Sequence, residues 1–488
     1  MRRPLSIVII CLWLVMLALL VRRTWPPATP KTEAVERIQP AAGEEWMGVY
    51  HAEQKIGYTH HSLAPDDRGF VFAEESLLRL TVMDTPQTVR TRMQGHAAPD
   101  FTLRDVDFEL SSGAGNLHAS GVVEGGALHL RLRTGKDSSE QVLPLTEPVY
   151  LPSTVRASLD AARLQPGRQL EVLAFDPTTL SNDRLHVTVE QQEAVPHAAA
   201  GVQAWRVQEE FRGLKTTAWI DNNGTVMREE GPMGLALVRE PAEQAVNHGW
   251  ATQTALDLVA TAAVPVTHPI DDARQRRSLR VRLSGIATDT VPSDDEQVRQ
   301  GDVLTITRLD TAGLQSYALP YRDTTYAGDL VPTAFLQSDH PRVRALAQQV
   351  VGEEHDALRA AVRLNDWVYA NLRKVPTISI PNALQVLDMG EGDCNEHAVL
   401  LAALARAAGI PTRVIAGAVY LNGAFFYHSW CEVWLGRWVG IDPALHQFPA
   451  DVTHIKFVIG GPEKQLAMMG IIGRLGIDVL DEDSGPHG

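Results

Sequence analysis

Cysteine is scarce in this chain of 488 residues, which holds three: Cys11, Cys394 and Cys431. Cys11 falls in an apolar N-terminal segment, so at most one disulfide could form in the body, and a disulfide framework is excluded. A zinc site built from Cys394, His397 and His428 would lack a second close pair of ligands and is disfavoured. We therefore predict no metal and no cofactor, and the scarcity leaves Cys394 free to act as a thiol.

Positive charge is also in short supply. The chain has 44 Lys and Arg against 59 Asp and Glu, a formal net charge of −15. Four of the basic residues, Arg2, Arg3, Arg22 and Arg23, flank the first apolar segment, so the rest of the chain is more acidic still. Because nucleic-acid-binding surfaces need clustered Lys and Arg, this balance argues against a nucleic-acid partner.

One long apolar run, Leu5–Val21, lies between those arginine pairs and reaches the short end of membrane-spanning length. A cleaved leader would need small residues where arginines stand. We therefore predict an N-terminal membrane anchor helix over residues 1–23 rather than a cleaved signal, followed by a Pro- and Ala-rich linker over 24–44. The slight excess of positive charge ahead of the run favours a body outside the cytoplasm.

Helical patterns are few between residues 45 and 241, where short alternating runs and turns predominate. "GALHLRLRTG" alternates clearly, and Asn223-Gly224 is typical of a hairpin turn between two strands. A calcium loop at the same turn is disfavoured because its later ligand positions lack suitable residues. The pattern predicts an antiparallel sheet or open barrel over 45–241.

Two further regions complete the predicted organisation. Residues 242–335 form a connecting region in which "SLRVRLSGI" and "DVLTITRLD" are interpreted as paired strands of a small β module. Residues 336–480 combine helical patterns with three successive strands, and 481–488 form a tail. The fold class predicted for the whole is α+β, with a β-rich N-terminal region ahead of a mixed domain.

Cys394 stands at the start of a predicted helix that begins after Asp393 and ends before Gly409 and Pro411. The first amides of a helix have no internal partners and its dipole is positive there. These groups could stabilise a thiolate and an oxyanion, so we predict a depressed pKa for the Cys394 thiol.

A cysteine nucleophile needs a base and a group that orients it. If Leu435-Gly436-Arg437 is a three-residue hairpin loop, Trp434 faces Trp438, and His428 and Asp442 become diagonal neighbours on one face of the sheet. A slip of one residue would put them on opposite faces. Cys431 lies an odd number of residues from His428, so it points to the opposite face and is interpreted as a buried hydrophobe.

These residues resemble the transglutaminase-like superfamily, whose core is a rearranged papain-like fold. The matching motifs are Gly-Asp-Cys at 392–394, Ala-Gly-Ile-Pro-Thr-Arg at 408–413, His-Ser-Trp-Cys-Glu-Val at 428–433 and Trp-Val-Gly-Ile-Asp-Pro at 438–443. The resemblance spans about residues 340–480. It implies Cys394 as nucleophile, His428 as general base and acid, and Asp442 as the group that orients the imidazole.

The resemblance favours hydrolysis or acyl transfer on peptide or protein amides through a thioester, and leaves the acceptor open. Trp430 and His397 are weaker candidates for substrate binding, with a fold role open for both. The alternative is a non-catalytic, membrane-tethered binding or scaffold protein that uses its β-rich N-terminal region. The oligomeric state stays open.

Overall fold

A computed structural model describes residues 43–480 except 83–84, 114, 135–136, 158, 160–163, 199–200, 248, 250–256 and 258–261. Among the residues described, about 48% lie in strands and 19% in helices. The predicted α+β class is therefore wrong, and the chain is mainly β. The reason lies in the N-terminal half, where a sheet was predicted but its strands, of up to 14 residues, contribute more of the chain than expected.

The predicted anchor over 1–23, most of the linker over 24–44 and the tail over 481–488 lie outside the described residues. Within the described part of the chain, none of the helices has the length and apolar character needed to span a membrane.

The described strands are, in chain order, β1 Gly43–His51, β2 Gln54–Asp66, β3 Gly69–Val82, β4 Thr85–Ala97, β5 Leu103–Ser112, β6 Gly115–Glu124, β7 Ala127–Thr134, β8 Asp137–Pro144, β9 Val149–Tyr150, β10 Gln169–Asp176, β11 Ser181–Ala194, β12 Gln203–Phe211, β13 Leu214–Ile220, β14 Val226–Glu230, β15 Leu235–Arg239, β16 Val264–Pro265, β17 Ser278–Ser284, β18 Gln297–Gln300, β19 Val303–Thr307, β20 Arg373–Lys374, β21 Glu391–Gly392, β22 Thr412–Leu421, β23 Ala424–Trp434, β24 Trp438–Ile441, β25 Ile455–Ile459 and β26 Gly476–Val479. The described α-helices are α1 Pro152–Ala157, α2 Ala242–Ala245, α3 Pro341–Val351, α4 Ala357–Asn371, α5 Ala383–Met389, α6 Cys394–Ala407 and α7 Pro462–Gln465. Short 3₁₀ segments occupy Pro232–Gly234, Thr288–Thr290, Thr311–Gly313, Ala327–Leu330 and Leu466–Gly470.

Strands β1 to β15 form one large sheet made of two meanders. The first runs from β1 to β8, the second from β15 back to β9, and β1 pairs with β15 where they meet. Neighbouring strands are antiparallel except β9 and β10. The predicted Asn223-Gly224 turn is confirmed between β13 and β14, with Gly224 at φ +82°. Glycine adopts that backbone conformation without strain.

The two meanders share one apolar core. Phe72 and Phe108 come from the first meander and Phe175 and Val207 from the second, and all four are buried in the same cluster. Thr154 Oγ1, just after β9, donates to the carbonyl oxygen of Phe101, which lies between β4 and β5. The sheet therefore curves until its two halves face each other. A right-handed strand twist accumulated over many strands gives such curvature.

The region after residue 336 is built around helix α6. Ten of its 14 residues are buried, since it packs against α3, α4 and α5 on one side and against β22 and β23 on the other. A helix that is apolar on nearly every face is expected to lie in a protein interior. Strands β16, β23, β22 and β25 form the adjoining sheet in that order, and β24 pairs with β23.

A small four-stranded sheet includes strands from the connecting region. Strand β17 pairs with β19, and the sheet continues to β18 on one side and to β26 on the other. The last of these strands comes from the C-terminal end of the described chain, which the sequence did not predict.

Contacts tie the large sheet to the C-terminal region close to the start of α6. Arg342 of α3 lies 2.6 Å from a carboxylate oxygen of Asp137 in β8. Ile378 and Ile380, in the segment between β20 and α5, pack on the core of the large sheet. The same segment donates a hydrogen bond from Ser379 Oγ to Glu396 of α6. The large sheet therefore supports the turn from which α6 begins.

Candidate active site

Cys394 is the first residue of α6, as predicted, and its side chain is partly buried. Asp393 is the N-cap and accepts a hydrogen bond from the Asn395 amide at 2.9 Å, while Glu396 accepts one from the Asp393 amide at 2.9 Å. This reciprocal arrangement is a capping box, which satisfies two of the backbone amides at a helix start. A Cβ on Gly392 would lie 2.3 Å from the Glu396 side chain, so only glycine permits this close approach.

Strand β23 lies against the start of α6. The backbone amide of Ser429 in β23 lies near enough to the Cys394 sulfur to lower the pKa of the thiol. Because Ser429 directly follows His428, this contact places the sulfur beside the stretch of β23 that carries the imidazole. The helix end and the strand thus bring together two residues that are far apart in the sequence.

The electrostatics of Cys394 differ from the sequence prediction. Burial, followed by the charge of Asp393, raises the pKa of the Cys394 thiol well above its ordinary value, and the Ser429 amide lowers it less than these raise it. The predicted depression of the pKa is therefore wrong. The helix end does offer amides, but removing the sulfur from water next to carboxyl groups outweighs them. The resting side chain is a thiol, and a thiolate forms only if its proton moves to a neighbouring base.

The hairpin that carries His428 and Asp442 has the predicted register. Trp434 pairs with Trp438, and Gly436 in the loop between them has φ +81°. His428 Nε2 lies 2.7 Å from Asp442 Oδ2, with 8% of the histidine side chain and none of the aspartate side chain exposed. This bond occupies Nε2 and leaves Nδ1 as the imidazole nitrogen for proton exchange.

Asp442 is held by hydrogen bonds to both of its oxygens. Oδ1 accepts from the backbone amides of Ala444 at 2.8 Å and Leu445 at 2.9 Å, while Oδ2 accepts from His428. Burial alone would raise the pKa of Asp442, but the charge and hydrogen bond of His428 and the hydrogen bond of His454 hold it well below its ordinary range. The carboxylate is therefore ionised and fixed in direction.

His454 is a residue of the site that sequence reasoning missed. Its Nε2 lies 3.0 Å from Asp442 Oδ2, the same oxygen that His428 contacts, and its side chain is 3% exposed. The stretch "DVTHIKFVIGG" carried the signal, since a histidine there directly precedes β25, which pairs with β22 at the centre of the adjoining sheet. Spacing along the chain did not indicate that His454 returns to Asp442.

The remaining predicted residues are buried. Trp430 is 2% exposed, and its ring centroid lies 6.2 Å from that of His428 and 5.0 Å from that of His454, so it packs against both imidazoles. His397 is fully buried, with Nδ1 2.6 Å from the Asp393 carbonyl oxygen. Substrate binding by Trp430 and His397 stays a prediction, which this burial does not support. Cys431 is confirmed as a buried side chain, and its sulfur donates to the Ala398 carbonyl oxygen at 3.2 Å.

Among the described residues, His428, Asp442 and His454 bring ligand-type atoms within 4.8 Å of one another. A metal ion would need free lone pairs on these atoms. Both histidine–aspartate contacts have hydrogen-bond length, so the facing nitrogens donate to the carboxylate. The arrangement is that of a hydrogen-bonded acid–base group.

A family model described as the transglutaminase-like superfamily matches residues 344–443. A protein-glutamine gamma-glutamyltransferase from Pseudomonas aeruginosa is 32% identical over 146 residues, which cover 26% of this chain and 22% of that protein. An uncharacterized protein from Mycobacterium leprae is 27% identical over 150 residues, covering 28% of this chain and 51% of the relative. The chain therefore spans about half or less of the length of the curated relatives it matches.

Two solved structures show weaker likeness. A candidate cysteine protease from Cytophaga hutchinsonii has a TM-score of 0.31 and 16% identity, covering 43% of this chain and 90% of its own. A β-barrel-like protein of unknown function from Brucella abortus has a TM-score of 0.33 and 13% identity, covering 42% and 97%. Both scores lie below 0.5, so neither structure defines the fold or activity of this chain.

Proposed function

Since residues 344–443 form a transglutaminase-like domain, we propose that this chain is a cysteine-dependent enzyme that acts on peptide or protein amides through a thioester at Cys394. The superfamily consists mainly of cysteine-dependent transferases and hydrolases. The observation that carries the proposal is the buried His428–Asp442 pair beside the helix end that bears Cys394. A base oriented by a carboxylate next to a thiol is what activation of a cysteine nucleophile requires.

The first step is attack of the Cys394 sulfur on the amide carbonyl carbon. His428 takes the thiol proton as the carbon–sulfur bond forms, and the carbonyl oxygen becomes an oxyanion. The amides at the start of α6 and of the facing strand are the donors suited to stabilise it. Collapse of this intermediate breaks the carbon–nitrogen bond, and His428 returns the proton to the leaving amine.

The thioester is then resolved by a second nucleophile. His428 removes a proton from water or from an amine, which attacks the thioester carbon and releases the Cys394 sulfur. Asp442 holds the imidazole in the orientation that both steps need and stabilises its protonated form. Because the Cys394 pKa is raised, the thiolate–imidazolium pair forms within the reaction and does not accumulate in the resting enzyme.

The choice between water and an amine is tested by supplying both. Glutamine-containing and other blocked peptides are incubated with the full chain, with and without a fluorescent primary amine, and ammonia, free acid and labelled product are measured. Free acid with the amine present supports hydrolysis, and labelled product supports acyl transfer. Cys394→Ala is expected to abolish both products, whereas Cys431→Ala, the matched control, retains them. Turnover that survives in Cys394→Ala would overturn the proposal.

The non-catalytic alternative makes a different prediction. A scaffold protein has no use for an ionised carboxylate buried against an imidazole, because burying charge costs stability. If the full chain captured a partner specifically and no peptide amide was turned over, the binding role would replace the enzyme role. The location of the body outside the cytoplasm stays a prediction.

A further inference from the structure

Asp442 lies between two histidines. Its Oδ2 is 2.7 Å from His428 Nε2 and 3.0 Å from His454 Nε2. The carboxylate therefore serves the catalytic imidazole and a second imidazole at once. A role for His454 in this shared contact goes beyond the three catalytic residues, although it rests on the proposed function.

The second nitrogen of His454 faces another acceptor. Nδ1 lies 3.3 Å from Asp451 Oδ1 and 3.2 Å from the Asp451 carbonyl oxygen. Asp451 is itself held in place, since its carboxylate accepts from the Thr453 amide and hydroxyl and from Gln447 Nε2. None of the oxygens near His454 carries a proton to donate, so both ring nitrogens must be donors.

An imidazole with two N–H donors is an imidazolium. The ring is 3% exposed, and the charged groups facing it are Asp442 on one side and Asp451 on the other. Burial lowers the pKa of His454, but the hydrogen bonds and charges of these two aspartates raise it to about 9. The His454 cation thus lies buried between two carboxylates. The three groups together carry one net negative charge.

The surroundings hold this cation rigidly. The ring of Trp430 meets His454 edge to face, with centroids 5.0 Å apart, and the His428 centroid is 6.0 Å away. Asp442 cannot rotate away from His428 without breaking its bond to His454 and its bonds to the turn amides of Ala444 and Leu445.

We propose that His454 is a positioning residue whose protonated ring keeps Asp442 ionised and aimed at His428. Its two ring nitrogens face Asp442 and Asp451, so it acts through the carboxylate of Asp442. At metal sites, removing a group that orients a ligand typically costs about 10–100-fold in affinity or activity, and we expect an effect of this size here.

The test compares His454→Asn with His446→Asn in the full chain. His446 Nε2 also lies 2.9 Å from a carboxylate oxygen, that of Asp366, but 47% of the histidine side chain is exposed. We expect His454→Asn to lower kcat by about 10–100-fold with KM changed less than about threefold, and His446→Asn to change neither. An unchanged kcat in folded His454→Asn would overturn the proposal.

A second measurement does not depend on turnover or on the folding of that variant. In Cys394→Ala with ¹⁵N-labelled histidine, nuclear magnetic resonance reports whether each ring nitrogen carries a proton. We expect both nitrogens of His454 to be protonated at pH 7. A neutral His454 would overturn the positioning role even if the enzyme is active, whereas a protonated His454 in a chain without turnover would overturn the proposed function alone.

Discussion

Histidine–aspartate pairs occur in both halves of this molecule at nearly the same distance. In the large sheet, His96 Nδ1 lies 2.8 Å from Asp105 Oδ1, with side chains 44% and 37% exposed. In the C-terminal region, His428 Nε2 lies 2.7 Å from Asp442 Oδ2, with side chains 8% and 0% exposed. Each pair joins side chains from neighbouring strands or strand ends of a sheet.

The difference between the two pairs is their surroundings. Water screens the pair in the sheet, and such exposed pairs contribute about 0–1 kcal/mol to stability. Burial strengthens every charge interaction of the pair beside Cys394. It also costs desolvation free energy, which only a full set of hydrogen bonds offsets. Chemistry therefore depends on where a pair lies more than on which residues form it.

Replacing the carboxylate is expected to give the largest difference between the two histidine–aspartate pairs. Asp442→Asn is expected to lower kcat/KM by about 10⁴-fold, because the Ala444 and Leu445 amides hold the side-chain oxygen at the Oδ1 position. The NH2 group then faces His428 Nε2, so it favours the wrong tautomer and does not stabilise the protonated ring. Asp105→Asn, the matched change in the large sheet, is expected to alter kcat/KM by less than about twofold. Steady-state kinetics of both variants decide the matter, and equal losses would show that burial does not distinguish the pairs.

A buried ion pair away from Cys394 separates the effect of burial on stability from its effect on catalysis. Arg156 of α1 lies 2.7 Å from Glu209 and also pairs with Glu229, with the two glutamates 6% and 13% exposed. Arg156→Met leaves two carboxylates facing each other, so we expect a loss of about 3–5 kcal/mol in the free energy of unfolding. The kcat of the protein that remains folded is expected to match wild type. A fall in that kcat would show that the sheet does more than support the site.

The titration of His454 is expected to make the free energy of unfolding depend on pH. The pKa of His454 is raised to about 9 in the folded chain, so its contribution is full below its unfolded pKa of about 6.5 and is lost as pH rises toward 9. Urea unfolding should show a loss of about 3 kcal/mol across that window. His454→Asn should show a flatter dependence, and parallel curves for the two proteins would contradict the assignment.

The smallest effect is expected at an exposed ion pair of the sheet. Arg131 Nη2 lies 2.9 Å from Glu140 Oε1, with side chains 61% and 70% exposed. Arg131→Gln is expected to change the free energy of unfolding by less than about 0.5 kcal/mol and to leave kcat unaltered. A loss above about 1 kcal/mol would mean that exposure is a poor guide to the value of these pairs.

Local features of the site were predictable from the sequence. The helix start at Cys394 follows from the Gly392-Asp393 turn, and the hairpin register follows from the loop at Gly436. These features depend on residues a few positions apart, so propensity and turn chemistry determine them.

Features that depend on tertiary packing were not predictable. His454 reaches Asp442 only because the chain returns to β25 beside β22, and the raised pKa of Cys394 depends on groups that burial brings around it. The mainly β class was missed for a related reason. The fifteen strands of the large sheet satisfy one another's backbone groups. Partial alternation within each strand does not predict how many strands join the sheet.

In the proposed mechanism, the Cys394 sulfur becomes the acyl carrier through the action of His428. The most direct measurement is acid-quenched mass spectrometry of the full chain after brief exposure to a peptide-amide library, with digestion to locate the adduct. We expect an acyl adduct on the peptide that contains Cys394, absent in Cys394→Ala and strongly reduced in His428→Ala. An adduct on Cys431 instead, or equal labelling of Cys394 in His428→Ala, would contradict the proposed mechanism.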